Sequence, residues 1–363
     1  MVTQQRRPRV VIPTEPIGSI PRPQYLVDAH RAWSAGELPE EDFARACDQA
    51  LDDTLRRFEQ TGSPVVTDGE QAKSSFLTYP LEGAGFLAEG GPAIPFDDGH
   101  TRQLPVLAEG PFRFQKYADA YLRKAMARTG AAVKQAVIAP SALSLLYPQD
   151  ELAAYPRQQF FADLVAEGVR DIRRCLDAGA DSVQLDFTEA RLSIKLDPSK
   201  ELLRDFIRLN NCVIEQFAPE DRARIGVHVC PGGDQDSTHS LDVDYLDLLP
   251  ELFALRAGRF YLQLASEPDR GRVLDIVRRV SYSNQRIFVG VTDPISSSVE
   301  TPEEVCERVL EAADYLPVER LGTCDDCGFS PFADDESTSR DTAFAKIHAR
   351  VEGTRLAASK LGA

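Results

Sequence analysis

Short apolar segments alternate along the chain with longer segments in which apolar residues recur every three or four positions. The short segments predict β-strands and the longer ones predict amphipathic α-helices, a combination typical of a parallel sheet with helical connections. The predicted strands are Ser63–Thr67, Val133–Ile138, Ser182–Asp186, Arg224–His228, Arg259–Leu264, Ile287–Val291 and Leu321–Thr323. The predicted helices are Glu40–Thr61, Phe112–Thr129, Pro156–Ala178, Lys200–Phe217, Val243–Leu255, Val273–Val280, Thr301–Leu316 and Ser337–Leu361.

Two local signals predict where helices begin and end. Thr301-Pro302-Glu303-Glu304 has a capping hydroxyl, a proline in the first turn and acidic residues behind it, which together are typical of a helix start. Gly179 follows a predicted helix and precedes a strand, so it is suited to a left-handed helix end.

Two parallel architectures fit the alternation, a doubly wound open sheet and a closed barrel. Seven or eight strand–helix units favour the barrel, and no Gly-x-Gly-x-x-Gly motif follows the first strand to support a dinucleotide-binding sheet. Residues 81–107 are rich in glycine, proline and acidic residues, which indicates a surface excursion able to form a hairpin lid. The sequence therefore predicts one domain over residues 1–363, an α/β fold of the (β/α)8 TIM-barrel type with an excursion near residues 81–107.

The composition limits the classes of partner. Hydrophobic residues make up 43% of the 363 residues, which is enough for a large buried core. The formal net charge of −16 disfavours binding to nucleic acid or to an anionic membrane, and no apolar run is long enough to predict a membrane span. Met1–Arg9 is polar and does not resemble a signal peptide. We therefore expect a cytoplasmic protein whose partners are small molecules, and the sequence leaves open whether it forms a homo-oligomer.

The seven cysteines separate into two groups. Their odd number in a long chain argues against a disulfide framework. Cys230, Cys324 and Cys327 lie just after predicted strands, where their side chains can take part in chemistry. The others lie in predicted helices and are expected to be small buried residues: Cys47, Cys175, Cys212 and Cys306.

Polar residues cluster where the predicted strands end. Active sites of βα barrels lie at the carboxyl ends of the strands, so these residues are expected to converge although they are far apart in sequence. They are Asp68-Gly69-Glu70, Asp186, His228-Val229-Cys230, Gln263–Glu267, Asp293 and Cys324–Cys327.

Two of these clusters suggest a metal site. His228 and Cys230 are two positions apart on an extended chain, so their side chains point the same way and can reach one ion. An imidazole together with thiolates is a ligand set typical of Zn²⁺. His-x-Cys alone is weak evidence, and Cys324-x-x-Cys327 alone also fits two buried thiols or a redox pair. Their joint occurrence after predicted strands favours zinc.

Five motifs occur in the order in which the catalytic barrel of cobalamin-independent methionine synthase and its single-barrel relatives have them. The chain resembles this family along nearly its whole length. The motifs are Pro16-Ile17-Gly18-Ser19-Ile20-Pro21, Asp68-Gly69-Glu70, Gln184-Leu185-Asp186, His228-x-Cys230 and Asp326-Cys327-Gly328-Phe329. The resemblance implies a (β/α)8 barrel that catalyses zinc-dependent transfer of an alkyl group, here methyl, from a donor to a small thiol such as homocysteine.

The resemblance also implies roles for single residues at the thiol substrate. Ile17 and Ser19 stand where the family contacts the carboxylate of homocysteine. Glu70 and Asp186 stand where the family binds the amino group. These four residues are therefore the candidate substrate-binding set.

His228, Cys230 and Cys327 match zinc ligands of the family. The family's fourth ligand is a glutamate at a strand end, and the corresponding position is Gln263, whose amide oxygen is a poor zinc ligand. Glu267 lies four residues further on and could replace it if the loop bends back. The fourth position is thus left open between Gln263, Glu267 and the substrate.

A second departure concerns the alkyl donor. The family has an Asp-Ile-His segment that helps to protonate the leaving folate nitrogen, whereas the chain has Asp293-Pro294-Ile295, with Asp293 as the candidate catalytic residue and no histidine. Two alternatives therefore stay open: addition of a zinc-held thiolate to an epoxide, as in 2-hydroxyalkyl thioether chemistry, and a non-catalytic zinc-stabilised barrel.

Three further residues bear on these alternatives. Lys73 and Arg191 could recognise an anionic thiol in the epoxide reaction, although surface salt bridges are expected for both. His239 lies in the long segment after Cys230, which could bind substrate or contact a partner subunit, and it is expected in an exposed loop.

Overall fold

Strands and their connecting helices make up most of the computed structural model, which describes residues 11–363. The prediction made for Met1–Arg9 lies outside these residues. The strands are β1 (Val65–Val66), β2 (Leu87–Ala88), β3 (Ala93–Pro95), β4 (Thr101–Gln103), β5 (Val106–Leu107), β6 (Ala132–Val133), β7 (Gln135–Ile138), β8 (Val183–Asp186), β9 (Ile225–Val229), β10 (Gly233–Asp234), β11 (Ser237–Thr238), β12 (Arg259–Leu262), β13 (Arg286–Thr292) and β14 (Leu321–Asp325). The α-helices are α1 (Gln24–Ser34), α2 (Glu40–Thr61), α3 (Asp119–Met126), α4 (Pro140–Ser144), α5 (Arg157–Ala178), α6 (Glu189–Leu196), α7 (Glu201–Ile214), α8 (Pro219–Arg222), α9 (Tyr245–Leu252), α10 (Arg270–Val280), α11 (Pro302–Ala313) and α12 (Arg340–Leu361).

Six strands form one sheet in the order β14-β13-β12-β9-β8-β7. Every neighbouring pair in it is parallel, and helices connect successive strands, as the alternation predicts. β1 and β6 form a separate parallel pair. Each predicted strand overlaps a strand of the sheet or of this pair, so the α/β class with a parallel sheet is confirmed.

The two edges of the sheet continue into further parallel contacts. At one edge β6 leads through Lys134 into β7, and the N–H of Lys134 donates to β1 at 2.9 Å. At the other edge Thr14 forms a parallel bridge with Thr323 of β14. The segment after Thr14 then approaches β1, where the N–H of Ile20 donates to the carbonyl of Gly69 at 3.0 Å. The hydrogen-bonded ladder thus comprises six strands and an adjoining pair, and a continuous ring of eight strands is not confirmed.

Most of the predicted helices form. α2 has the predicted limits, and α5, α7, α9, α10, α11 and α12 overlap their predicted segments. The helix predicted over Phe112–Thr129 forms only as α3, because Phe112 and Phe114 are buried with exposed residues between them in an extended segment. α1, α4, α6 and α8 lie outside the predicted helices.

Both predicted helix-end signals form. Glu304 N–H donates to Thr301 Oγ1 at 3.2 Å, and Thr301 N–H donates to Glu304 Oε2 at 2.7 Å, so a capping box begins α11. Gly179 ends α5 with a φ of 100°, a left-handed conformation that side chains with a Cβ disfavour.

The excursion near residues 81–107 contains two nested antiparallel pairs, β2 with β5 and β3 with β4. It is therefore a long hairpin of residues 87–107, called the long hairpin below. Its position over the carboxyl ends of the parallel strands makes it part of the candidate site.

The main hydrophobic cluster includes residues from Ile12 to Ala363 and fills the space between the sheet and the helices. Within residues 11–363, no helix is long and apolar enough to cross a membrane. The predicted burial of a cysteine is wrong for Cys212, which is exposed because it lies off the buried face of α7. The other three helical cysteines are buried as predicted: Cys47, Cys175 and Cys306.

Candidate metal and thiol-binding site

One histidine and two cysteines come together at the carboxyl ends of two strands. His228 lies in β9, Cys230 follows that strand directly, and Cys327 lies two residues after β14. One ligand atom from each lies within 4.8 Å of the others, and the two sulfur atoms are 3.2 Å apart. The structure therefore brings together the three predicted zinc ligands.

The imidazole of His228 is oriented by Asp186. The two residues are paired in the β8–β9 ladder, and Nδ1 of His228 lies 3.2 Å from Oδ1 of Asp186. Nδ1 can donate to this carboxylate, and a ring protonated there would present the lone pair of Nε2 to a metal. Nε2 lies 3.3 Å from the carbonyl of Asp326, on the side of Cys327. Burial opposes protonation, but the hydrogen bond to Asp186 and the electrostatic interaction with Cys327 outweigh burial and raise the pKa of His228.

The surroundings of Cys327 disfavour the ionisation of its thiol. The contact with Cys230 and then burial raise the pKa of the Cys327 thiol well above its ordinary value. A bound divalent cation would reverse this, because it stabilises thiolates directly. An oriented imidazole, one buried thiol and one partly buried thiol within reach of one point fit a zinc ion.

The residues proposed for the fourth position have other partners. Gln263 is buried, and its Oε1 accepts from Arg191 Nη1 at 3.2 Å while its Nε2 donates to Ser266 Oγ at 2.7 Å. Glu267 Oε1 accepts from Arg191 Nη2 at 2.5 Å. Glu267 does not join the cluster of possible histidine, cysteine and carboxylate ligands found among residues 11–363. The predicted surface salt bridge of Arg191 is wrong, because this residue is only 1% exposed.

A cavity of about 260 Å³ opens beside the cluster. His228 and Cys327 lie in its wall, and so do all four predicted substrate-binding residues: Ile17, Ser19, Glu70 and Asp186. The convergence expected at the strand ends therefore occurs for both predicted sets.

The segment that carries Ile17 and Ser19 is fixed against the loop of Cys327. The N–H of Ser330 donates to Ser19 Oγ at 3.1 Å, and the N–H of Phe329 donates to the carbonyl of Ser19 at 3.0 Å. A Cβ at position 328 would lie 2.3 Å from Ser19 Oγ, so only glycine allows this approach. The hydroxyl hydrogen of Ser19 has no acceptor among the described residues and remains available at the cavity.

Glu70 lies in a turn that is fixed by hydrogen bonds from two neighbouring cationic side chains, Lys73 and Arg22. Its φ is 56°, a left-handed conformation, and Lys73 Nζ donates to its Oε1 at 2.9 Å. Arg22 Nη2 donates to the carbonyls of Glu70 and Lys73 at 2.8 and 2.7 Å. Burial raises the pKa of Glu70, and Lys73 opposes this rise. Lys73 is buried rather than at the surface, and it is turned to Glu70, so the predicted surface salt bridge is wrong here too.

The long hairpin covers the cavity. Ile94, Phe96, Arg102 and Leu104 contribute to the cavity wall. At the tip, the N–H of Asp97 donates to the carbonyl of Thr238 at 2.9 Å. The tip therefore rests on the β10–β11 hairpin, which begins three residues after Cys230.

Ionic contacts fasten the same tip. Arg102 donates through Nε and Nη2 to the buried carboxylate of Asp234, and His100 Nε2 lies 3.0 Å from it. Arg102 also donates to Asp334 at 2.9 and 3.0 Å. The sequence indicates an excursion but offers no signal for these partners, which lie more than a hundred residues away.

His239 is a buried residue of the cavity wall, so its predicted exposure is wrong. Its Nδ1 lies 2.9 Å from Ser240 Oγ, and Ser240 in turn donates to the carbonyl of Pro231. Burial, and then the charge of Lys195, lower the pKa of His239 to about 4, so the ring is neutral. Gly232 lies against the ring, where a Cβ would lie 1.8 Å from Nε2 of His239, so only glycine allows so close an approach.

Asp293 does not lie in the wall of the cavity. It is partly buried, its Oδ1 accepts from the N–H of Ile295 at 3.0 Å, and its own N–H donates to Glu300 at 2.8 Å. Asp326, to which the sequence assigned no role, holds the turn after β12. Its carboxylate accepts from the N–H groups of residues 264, 265 and 266, each at 2.8 Å.

Comparisons with known proteins find similarity over nearly the whole chain. The sequence model described as "Cobalamin-independent synthase, Catalytic domain" matches residues 12–348. Methionine synthase of Pyrococcus horikoshii is 24% identical over 352 residues, covering 97% of the chain and 94% of that protein. Methionine synthase of Saccharolobus solfataricus is 22% identical over 352 residues, covering 97% of the chain and 96% of that protein.

Two solved structures share the fold. A B12-independent methionine synthase from Shewanella sp. W3-18-1, in complex with selenomethionine, superposes with a TM-score of 0.76 at 20% identity, covering 97% of the chain and 99% of that structure. The putative vitamin-B12-independent methionine synthase of Listeria monocytogenes gives a TM-score of 0.70 at 20% identity, covering 95% and 98%.

Proposed function

The chain belongs to the cobalamin-independent synthase family, and from this premise we propose that it transfers a methyl group to the sulfur of homocysteine or a closely related thiol. The observation that carries the proposal is the shared cavity. His228 and Cys327 of the candidate metal set lie in the same wall as the two candidate ammonium acceptors, Glu70 and Asp186. An amino-acid thiol has both groups, a sulfur for the metal and an ammonium for the carboxylates.

The proposed cofactor is Zn²⁺, held by His228, Cys230 and Cys327. Bound there, zinc would keep the substrate sulfur as a thiolate at neutral pH. Asp186 supports this role through its contact with Nδ1 of His228, which leaves Nε2 free to bind metal.

The carboxylates of the cavity are suited to an ammonium group. Lys73 occupies Oε1 of Glu70, while Oε2 has no hydrogen-bond partner within residues 11–363. Gln184 and His228 likewise contact Oδ1 of Asp186, and Oδ2 has no partner in the described chain. Each residue therefore keeps one oxygen for the substrate. The free hydroxyl hydrogen of Ser19 supplies a donor for the substrate carboxylate.

The donor side of the cavity is apolar. Phe76, Ile94, Phe96, Leu104 and Phe332 form this part of the wall. Its cation, Arg102, is neutralised by two carboxylates. An apolar wall, together with isoleucine in place of the folate-protonating histidine, favours a second candidate reaction, addition of the thiolate to a small epoxide. We propose methyl transfer first, because the family match extends over residues 12–348.

A purely structural metal site explains these features less well. Stability alone does not require carboxylate oxygens that face a cavity without partners. It also does not require a hairpin fastened over that cavity. The role of Asp293 stays a proposal, because its placement outside the cavity wall requires a movement before it can contact substrate.

We further propose that residues 1–363 form one domain and that its strands close into a (β/α)8 barrel. The Thr14–Thr323 bridge and the bond from Ile20 to Gly69 support closure, because both lie in the gap between β14 and β1. The absence of disulfides among the described cysteines is consistent with a cytoplasmic enzyme.

Metal analysis and a methyl-transfer assay test the proposal together. Wild-type protein and Cys324→Ser are expected to bind about one zinc per chain, and Cys327→Ser is expected to lose it. Cys324 is the matched control because it is in the same segment but points into a separate buried cluster with Tyr261 and Phe288. Thioether formation from homocysteine is then measured with several methyl donors. Equal zinc affinity in all three proteins, or a zinc-loaded protein that binds no homocysteine, contradicts the proposal.

A further inference from the structure

Arg191 is a buried cation that contacts the side-chain amide of Gln263 and the carboxylate of Glu267, both just after β12. It lies in α6, five residues after Asp186, and is 1% exposed. Its Nη1 donates to Oε1 of Gln263 at 3.2 Å, and its Nη2 donates to Oε1 of Glu267 at 2.5 Å. Its guanidinium also stacks over the ring of Tyr245, with the carbon 4.2 Å from the ring centre. Three contacts therefore fix one guanidinium.

The two oxygen groups lie next to the candidate metal ligands. Tyr261 and Leu262 of β12 pair with His228 and Val229 of β9, so Gln263 continues the strand beside Cys230. The turn from residue 264 to 266 is bound by the carboxylate of Asp326, the residue before Cys327. Gln263 and Glu267 thus flank a turn that is attached to both ligand-bearing segments.

Without Arg191, the carboxylate of Glu267 would be a suitable metal ligand, and the amide oxygen of Gln263 would be a poorer one. A carboxylate or amide oxygen can fill the fourth position of a tetrahedral zinc site, and a carboxylate binds more strongly. With Arg191 present, Oε1 of each side chain is committed to a guanidinium hydrogen. Moving Glu267 to the metal would also leave the buried guanidinium of Arg191 without its carboxylate partner, which is unfavourable in a low-dielectric interior.

We propose that Arg191 is a positioning residue that withholds Gln263 and Glu267 from the metal and so reserves its fourth coordination position for the substrate thiol. The inference rests on the proposed zinc site. If Arg191 has this role, loss of the guanidinium changes the two affinities in opposite directions: zinc binding becomes stronger and thiol binding becomes weaker. A residue that merely stabilised the fold would weaken both.

The test compares Arg191→Met with the wild type and with Arg191→Met/Glu267→Gln. Zinc affinity is measured by competition with a chromophoric chelator, homocysteine affinity by calorimetry, and the zinc neighbours by X-ray absorption. In Arg191→Met we expect at least a tenfold rise in zinc affinity, at least a tenfold loss of homocysteine affinity, and one additional oxygen neighbour. In the double variant, the neutral side chain at position 267 should return both affinities towards wild-type values.

Arg191→Lys covers the case in which the methionine variant does not fold. Its single ammonium can replace only part of the guanidinium fork, so the same two shifts are expected in smaller measure. A folded variant whose zinc and homocysteine affinities both match the wild type overturns the proposal, and so does one in which both affinities fall. If the wild type itself binds no zinc, the proposed function fails instead, and the two failures are therefore distinguishable.

Discussion

The contact between Arg102 and Asp234 offers the sharpest test of the long hairpin as a lid. Arg102 is on β4 and Asp234 on β10, three residues after Pro231, so the pair joins the hairpin to the loop that follows Cys230. Arg102→Met keeps the length and apolar part of the side chain but removes every hydrogen bond. We expect the tip of the hairpin to open locally while the sheet stays folded.

The structure sets the size of the effect. The side chain of Asp234 is fully buried, and two charge-assisted hydrogen bonds to a buried carboxylate contribute together about 3–5 kcal/mol. Asp334 is half exposed, so its pair with Arg102 adds less than about 1 kcal/mol. His100 remains beside Asp234 and limits the loss. With the loss limited in this way to about 3–4 kcal/mol, the population of the open hairpin should rise roughly 100- to 1000-fold.

Hydrogen exchange measures this population directly. The N–H groups of Phe96, Asp97 and Leu104 are hydrogen-bonded in or by the hairpin and should exchange roughly 100- to 1000-fold faster in Arg102→Met. Arg279→Met removes an exposed pair with Asp275 on α10 and is the matched control, expected to change nothing in the hairpin. If the variant is folded and its hairpin exchanges at the wild-type rate, the ion pair does not hold the lid and the reasoning is refuted.

Two further predictions concern the cavity itself. Glu70→Gln should retain zinc but bind homocysteine about 10- to 100-fold more weakly by calorimetry, since one charge-assisted bond contributes about 1.5–3 kcal/mol. A thiol without an amino group is the control and should bind equally to the variant and the wild type. An equal loss of affinity for that thiol would argue against an ammonium contact at Glu70. Burial and Lys195 lower the pKa of His239 from 6.5 to about 4, so the unfolded chain binds more protons between these values and stability is lost as the pH falls through them. Relative to His239→Gln, the free energy of unfolding of the wild type should therefore fall by about 3 kcal/mol between pH 7 and pH 4 in urea titrations. If the free energies of unfolding of the two proteins change in parallel with pH, the histidine does not titrate as its burial requires.

Local patterns were sufficient to predict the parallel sheet. Buried strands such as β9 and β13 are short and mainly apolar, and polar residues lie at or just after their carboxyl ends. The same rule located His228, Cys230 and Cys327, since each lies at or just after a strand end. Helix α2 was predictable because its amphipathic pattern continues over six turns, whereas α6 is too short and too buried to show one.

Other features depend on contacts that no local pattern records. Arg191 is buried against a carboxylate on another segment, and Lys73, which pairs with the nearby Glu70, also donates to the carbonyl of Ala136 on β7. A single charged residue in the sequence, by contrast, suggests only a surface position. His239 is buried because the long hairpin, more than a hundred residues earlier, packs Phe96 against it. The closure of the sheet likewise depends on single bridges such as that of Thr14, which are too short to produce a strand pattern.

The polar groups of the cavity share one principle of construction, which connects these long-range contacts to the proposed function. In each case a neighbour occupies one polar atom and leaves another for the cavity: Lys73 holds Oε1 of Glu70, and Gln184 holds Oδ1 of Asp186. Asp186 in turn fixes Nδ1 of His228. A side chain held at one polar atom loses little conformational freedom when its second polar atom binds substrate. The conformational entropy of these side chains is therefore lost on folding rather than on binding. Substituting one of these neighbours should therefore weaken thiol binding even though the neighbour itself never touches the thiol.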